Sequence, residues 1–187
     1  MDLPRNPVQH FKLVKSERKH AGKVFNLIIE EIEYPSGNRA IREIADHPGG
    51  AVAVPILDDG SLVLVRQYRH PLKDFSLELP AGKLDPGEDP MVCAGRELEE
   101  ETGYSATKLT KLTAILTTPG FCNERLHIYL AEGLKQSPGG QRLEEGERSL
   151  SIEKTPFQEA IRMIEDGEIV DSKTICGILL AERVLDK

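Results

Sequence analysis

The stretch from Gly82 to Tyr104, GKLDPGEDPMVCAGRELEEETGY, constrains this chain more than any other. Within it Glu97, Glu100 and Glu101 stand at i, i+3 and i+4, a spacing that lays three carboxylates along one face of an α-helix. Local signals support the helix. Asp89 suits the N-cap, Pro90 the first helical position, and Gly103 a left-handed residue at the C-terminal end. Such a helix carries an electrostatic penalty. Like charges at i,i+4 cost roughly 0.2–0.5 kcal/mol per pair in an isolated helix, and negative charge is disfavoured near the C-terminal end of the helix dipole. A cation offsets both effects. Mg2+ or Mn2+ fits, because hard divalent ions take carboxylate oxygens and leave positions for water and phosphate.

The same stretch resembles the Nudix box, a glycine, five residues, a glutamate, seven residues and then R-E-U-x-E-E-x-G-U, where U is bulky and apolar. Gly82, Glu88, Arg96, Glu97, Leu98, Glu100, Glu101 and Gly103 all fall in register. Tyr104 departs from the pattern, standing where an aliphatic residue is usual. A solvated acidic helix would account for a lone E-x-x-E-E but not for the whole register. The resemblance implies an α/β/α sandwich with a mixed sheet, a loop–helix–loop box, and hydrolysis of a pyrophosphate joined to a further group. It also implies two to three divalent ions on Glu97, Glu100 and Glu101, with the backbone carbonyl of Ala81 as a further donor. Arg96 is then expected to orient the glutamates through charge-assisted hydrogen bonds. Glu88 has a plainer reading as negative charge at the helix N-terminus.

Composition bounds the alternatives. A chain of 187 residues with 39% hydrophobic and 29% charged residues reads as one soluble globular domain with room for an extra arm. A net charge of −7 argues against nucleic acid or an anionic membrane as partner, and no apolar run approaches the ~18–20 residues of a membrane span. Cys93, Cys122 and Cys176 are odd in number and have neither zinc-like nor disulfide spacing, which suits a cytoplasmic protein.

Before the box, the first ten residues carry two prolines and read as a loose tail. Val24–Tyr34, the PSGN turn and RAIREIA read as a β-hairpin arm, so residues 1–50 form tail and arm and 51–187 the main domain. A two-stranded hairpin is marginal alone. It must pack on the core or on a second subunit. AVAVPIL, the DDG turn and SLVLVRQYR then read as a second hairpin. Arg66 and Arg69 at its end are either polar surface or forked donors for phosphate. Glu78, in the SLELP strand ahead of Gly82, joins them as a candidate substrate-binding residue.

After the box, residues 109–116 and 125–134 read as strands, and His127 on the second reads as a satisfied structural residue. Pro119 lies 15 residues beyond Tyr104. A proline near that distance resembles the ADP-ribose pyrophosphatase branch, although a plain Pro-Gly turn would look the same. That branch implies cleavage of ADP-ribose to AMP and ribose 5-phosphate, a homodimer formed through the N-terminal arm, and a loop glutamate that activates water. Glu144, Glu145 and Glu147 all qualify, with Glu145 placed first and Glu147 second. Thr155 as N-cap with Pro156 at the first position opens one helix, and residues 172–185 form another, with Ile175, Ile178, Leu179 and Val184 as its apolar side. The rival functions are a broad nucleoside diphosphate sugar hydrolase, taking GDP-mannose for example, and a non-catalytic nucleotide-sugar-binding module. The intact glutamates favour catalysis. Hydrolysis of capped RNA finds no basic groove in this acidic composition.

Overall fold

The computed structural model describes residues 10–185. The tail expected over the first ten residues therefore lies outside the described residues, apart from His10. The chain separates into two compact units, one running to His47 and taking in Thr118–Glu124, the other comprising Pro48–Thr117 and Arg125 onward.

The first unit is a three-stranded antiparallel sheet in the order β1-β2-β3, formed by β1 (Lys12–Ala21), β2 (Asn26–Glu33) and β3 (Arg39–Asp46). The hairpin read from Val24 onward is β2 and β3, with Ile28 opposite Ile44 and Glu31 opposite Ile41. β1 is an addition. Its sequence, KLVKSERKHA, lacks apolar alternation and stays exposed, so it is a strand because β2 offers it an edge, not because of its own pattern. Thr118–Glu124 joins this unit through hydrogen bonds: the Ala45 N–H donates to the Phe121 carbonyl at 2.8 Å, and Asn123 Nδ2 donates to Asp46 at 2.8 Å. Here the unit departs from a contiguous arm of residues 1–50.

The second unit holds β4 (Gly50–Pro55), β5 (Ser61–Arg69), β6 (Asp74–Glu78), β7 (Ala81–Lys83), α1 (Pro90–Thr102), β8 (Tyr104–Leu116), β9 (Arg125–Gln136), β10 (Ser151–Pro156), α2 (Phe157–Glu165) and α3 (Ser172–Leu185). A four-stranded sheet runs β7-β4-β9-β8, mixed because β4 and β9 are parallel, and a three-stranded sheet runs β10-β5-β6. The DDG turn forms, with Leu57 N–H bonded to the Ser61 carbonyl at 2.9 Å, but it does not close a hairpin. One isolated bridge joins Ile56, just past β4, to Leu62 of β5, and the two strands lie in different sheets. Both strands are apolar and buried, so each needs neighbours and cover on both faces, which a two-stranded hairpin cannot supply.

β4 shows how the core is divided. Ala51 and Ala53 face α1, packing with Cys93, Ala94 and Leu98, while Val52 and Val54 face the other way, into Leu62, Leu64, Ile128, Leu130 and Ile178. The strand period of two sorts small residues to one side, where a helix backbone must come close, and branched ones to the other. Full burial of such branched side chains contributes about 1.5–3 kcal/mol each. Helices α1 and α3 thus cover opposite faces of the mixed sheet.

Two helix readings shift. Thr155 belongs to β10 and pairs with Leu62, so Pro156 takes the N-cap of α2 without a side-chain bond. On α3 the buried positions are Lys173, Thr174, Gly177, Ile178 and Ala181, whereas Leu179 and Val184 are exposed. Small residues line the buried side of α3 because it lies close against β4 and β9. His127 differs too: its Nδ1 is buried without a hydrogen-bond partner among the described residues. Burial, with the nearby cations Lys111 and Arg125, pulls its imidazole below the usual range.

Candidate active site

The box helix is capped as its sequence requires. Asp89 accepts from Met91 N–H at 2.8 Å, Pro90 opens the helix, and Gly103 closes it at φ 70° with its N–H on the Glu99 carbonyl at 2.8 Å. Opposite the helix, β7 is held to β4 through the pairs Ala51–Gly82 and Val52–Ala81. This brings Ala81 and Gly82 against the carboxylates. A methyl at Gly82 would fall within 2.0 Å of a Glu97 carboxylate oxygen, so only glycine leaves that oxygen its place.

Arg96 organises the cluster. Its Nε and Nη2 grip Glu88 with two bonds of 2.9 Å, while Nη1 reaches Glu97 at 2.6 Å and Glu100 at 3.1 Å. Nη2 also meets the Lys83 carbonyl at 3.3 Å. Glu88 is therefore a clamp on the arginine, more specific than charge at a helix terminus. The Arg96 guanidinium, helped by the Asp85 N–H, holds the Glu88 carboxyl down to about 2 against the opposing effect of burial.

Glu101 behaves differently. It is 2% exposed and accepts the Ala81 N–H at 3.1 Å. Burial pushes its carboxyl up to about 8; the Ala81 bond opposes this, while Glu97 and Glu147 add to it. Glu97 is raised too, by burial and by Glu100 and Glu147, against the pull of Arg96. Among the described residues no group of three or more His, Cys, Asp or Glu side chains converges to hold an ion in this arrangement, since Arg96 spans Glu97 and Glu100 and Glu101 turns to Ala81. The donor set nonetheless suits a hard divalent cation. It consists of carboxylates, two of which, Glu97 and Glu101, are raised chiefly by burial, around the space that Gly82 leaves clear.

The cluster opens on a cavity of about 310 Å³. β7 and the loop after it contribute Ala81, Gly82, Lys83 and Asp85, α1 contributes Arg96, Glu97 and Glu100, and a second loop contributes Arg142, Glu144 and Glu147. Of the three loop glutamates, Glu144 and Glu147 belong to that lining and Glu145, placed first from the sequence, does not. In the turn Glu145–Glu147 a capping box ties the Glu144 N–H to Glu147 at 3.0 Å, and Glu145 within it is exposed. Lys83, Asp85 and Arg142 were not singled out by sequence. The position of Lys83 and Asp85 inside the box was the available signal.

Arg66, Arg69, Glu78 and Pro119 do not line this cavity. Arg66 pairs with Glu153 on the neighbouring β10. Arg69 grips buried Glu78 with bonds of 2.8 and 2.6 Å, and Glu78 also takes the buried ammonium of Lys173. Lys173 in turn meets Asp171 at 3.0 Å, and Asp171 accepts from Thr174 at 2.7 Å. Burial alone would raise Glu78, but Arg69 and Lys173 hold it down at about 2. The arginines thus reach carboxylates of their own fold. Lys173 and Asp171 carry no motif by which sequence could have found them. Pro119 opens the turn in the 118–124 segment of the first unit.

The NUDIX domain family model matches residues 47–175. The chain belongs to the NUDIX family. Among its relatives, the Nudix chain is 41% identical over 167 residues to the ADP-ribose pyrophosphatase of Bacillus subtilis strain 168, covering 89% of this chain and 90% of that one. It matches the methanol dehydrogenase activator of Bacillus methanolicus at the same identity and coverage. The crystal structure of an ADP compounds hydrolase matches with a TM-score of 0.81 over 95% of each chain at 24% identity, a likeness of fold. This Nudix fold is the α/β/α sandwich with a mixed sheet that the box implied. No helix among the described residues is long and apolar enough to cross a membrane.

Proposed function

We propose that this Nudix protein hydrolyses the diphosphate bridge of ADP-ribose to give AMP and ribose 5-phosphate. The observation that carries the reading is one cavity lined by box carboxylates from α1 and by Glu147 from a separate loop. The Bacillus subtilis ADP-ribose pyrophosphatase, similar over most of both chains, supports the substrate. Glu97, Glu100, Glu101 and the Ala81 carbonyl are the donors for two to three ions, Mg2+ or Mn2+, which when bound neutralise diphosphate charge and make water easier to deprotonate. Arg96 bonds Glu97 at 2.6 Å and Glu100 at 3.1 Å and so holds both carboxylates at the cavity wall. Glu147 takes the proton from the attacking water. The water oxygen bonds to one phosphorus as the bridging oxygen leaves with the other. Lys83 and Arg142 bring positive charge to the cavity wall, where phosphate oxygens can meet it.

The deciding experiment is hydrolysis of ADP-ribose, GDP-mannose, ADP-glucose, UDP-glucose, NADH and diadenosine polyphosphates, with Mg2+ and with chelator. Metal-dependent preference for ADP-ribose with release of AMP is the expected result. Equal turnover of several nucleotide sugars would replace it with a broad hydrolase, and tight binding without turnover with a sensor. For assembly, the arm of residues 1–50 is proposed to make a homodimer. Phe11, Val24, Phe25 and Ile41 of its sheet unit are large apolar side chains left exposed. Light scattering should give twice the 20.8 kDa chain mass.

A further inference from the structure

An α-helix leaves its last carbonyls without partners inside the helix. In α1 two of these carbonyls belong to Glu100 and Glu101, whose side chains form part of the acidic cluster. Glu99 is served by the Gly103 N–H at 2.8 Å. The next two are served from outside: the Arg142 N–H donates to the Glu100 carbonyl at 2.8 Å, and the Gln141 side chain donates through Nε2 to the Glu101 carbonyl at 2.6 Å. The Ser137 N–H completes the contact on the Gly103 carbonyl at 2.8 Å. Gly103 and Gly140 meet closely enough that a methyl on Gly103 would lie 3.0 Å from the Gly140 carbonyl carbon. The loop that carries Glu147 is therefore the cap of the helix that carries Glu97, Glu100 and Glu101. Its far end is fixed by buried Leu150, whose N–H meets the Glu147 carbonyl at 2.7 Å.

We infer that Gln141 is a positioning residue for the hydrolytic reaction: by capping the Glu101 carbonyl it fixes the 137–148 loop on α1 and so sets the distance of Glu147 from the box carboxylates. This rests on the proposed hydrolysis for its catalytic consequence, though not for the anchoring itself. Beside the looser ion pair of Arg142 with Glu99 at 3.6 Å, the tie from Gln141 is a side-chain hydrogen bond, so substitution can remove it without altering the backbone. Its residue is otherwise exposed, so its loss opens no core cavity. Glu147 hangs between the paired anchors at Gln141 and Arg142 and the anchor at Leu150, so loosening the first pair by loss of the Gln141 bond lets Glu147 shift.

The test uses Gln141→Met, similar in size but without a donor, and Gln141→Lys, which restores a donor of the charge favoured at a helix C-terminus. Hydrogen exchange on the full chain should show faster exchange over residues 142–148 in Gln141→Met, unchanged β4 and β9, and recovery in Gln141→Lys. On ADP-ribose, Gln141→Met should lower kcat about tenfold with KM nearly unchanged, since misplacement of a reacting group by about an ångström has effects of this size or larger. In a Glu147→Gln background the same substitution should cost nothing further, which a merely structural role would not produce. Unchanged exchange over 142–148, an unchanged kcat, or a loss that adds in full to Glu147→Gln would each overturn the inference. A wild type that hydrolyses nothing would sink the proposed function alone. The exchange comparison would still decide whether Gln141 anchors the loop.

Discussion

Gly82 stands so close to Glu97 that a methyl in its place would lie 1.9 Å from the carboxyl carbon of Glu97. The glycine is thus a condition for where that carboxylate sits. Gly82→Ala should displace Glu97 or push β7 from the helix. We expect about a hundredfold loss of kcat from misplacement of the carboxylate, with the far-ultraviolet circular dichroism retained. Activity within a factor of two of wild type would show that the close approach has no catalytic consequence.

Glu101 gives a pH signature in the metal-free protein. Its folded pKa of about 8 exceeds the ordinary 4.5, so the protonated form is the one the fold prefers. The stability it contributes is complete below about 4.5 and is lost as pH rises to about 8, an effect on the order of 4–5 kcal/mol. Denaturant melts in chelator should therefore show stability falling across that window, and Glu101→Gln should flatten the slope. An identical slope in the variant would mean that Glu101 is ionised and compensated in the fold.

Glu147→Gln and Glu145→Gln separate the two loop carboxylates. Glu147 lines the cavity and Glu145 does not. Loss of a general base costs roughly 10²–10⁴ in kcat, so Glu147→Gln should fall in that range and Glu145→Gln should stay near wild type. The reverse order in steady-state kinetics would return the role to Glu145.

Lys173 tests the buried network. Its ammonium touches both Glu78 and Asp171, and all three side chains are largely withdrawn from water. Lys173→Met strands negative charge there and should destabilise the protein by about 3 kcal/mol in urea, as breaking a buried pair does. Pairing it with Glu78→Gln should restore part of the loss. A midpoint unchanged by Lys173→Met would show that Arg69 suffices for Glu78.

The box was legible because its chemistry is local: glutamates three and four apart share a helix face, and Asp89, Pro90 and Gly103 delimit that helix through their own backbone preferences. The same locality let Arg96 be read as the residue that orients them. Elsewhere the chain misled where a short-range signal met a long-range demand. The DDG turn forms yet β4 and β5 part, because two buried strands each need partners that lie far along the chain. The KLVKSERKHA segment is a strand through the edge that β2 presents, which no pattern of its own announces.

What the sequence by itself determined was the helix, its acidic face and the glycine beside it, since i,i+4 spacing and backbone conformational preference act within a few residues. What only the tertiary structure decided was which distant groups complete the site. The loop that caps α1 brings Glu144 and Glu147, but not Glu145, to the cavity wall, and the meeting of β5, β6 and α3 commits both Arg69 and Lys173 to Glu78. Both depend on which surfaces pack together, and packing joins residues whose separation along the chain carries no periodic trace.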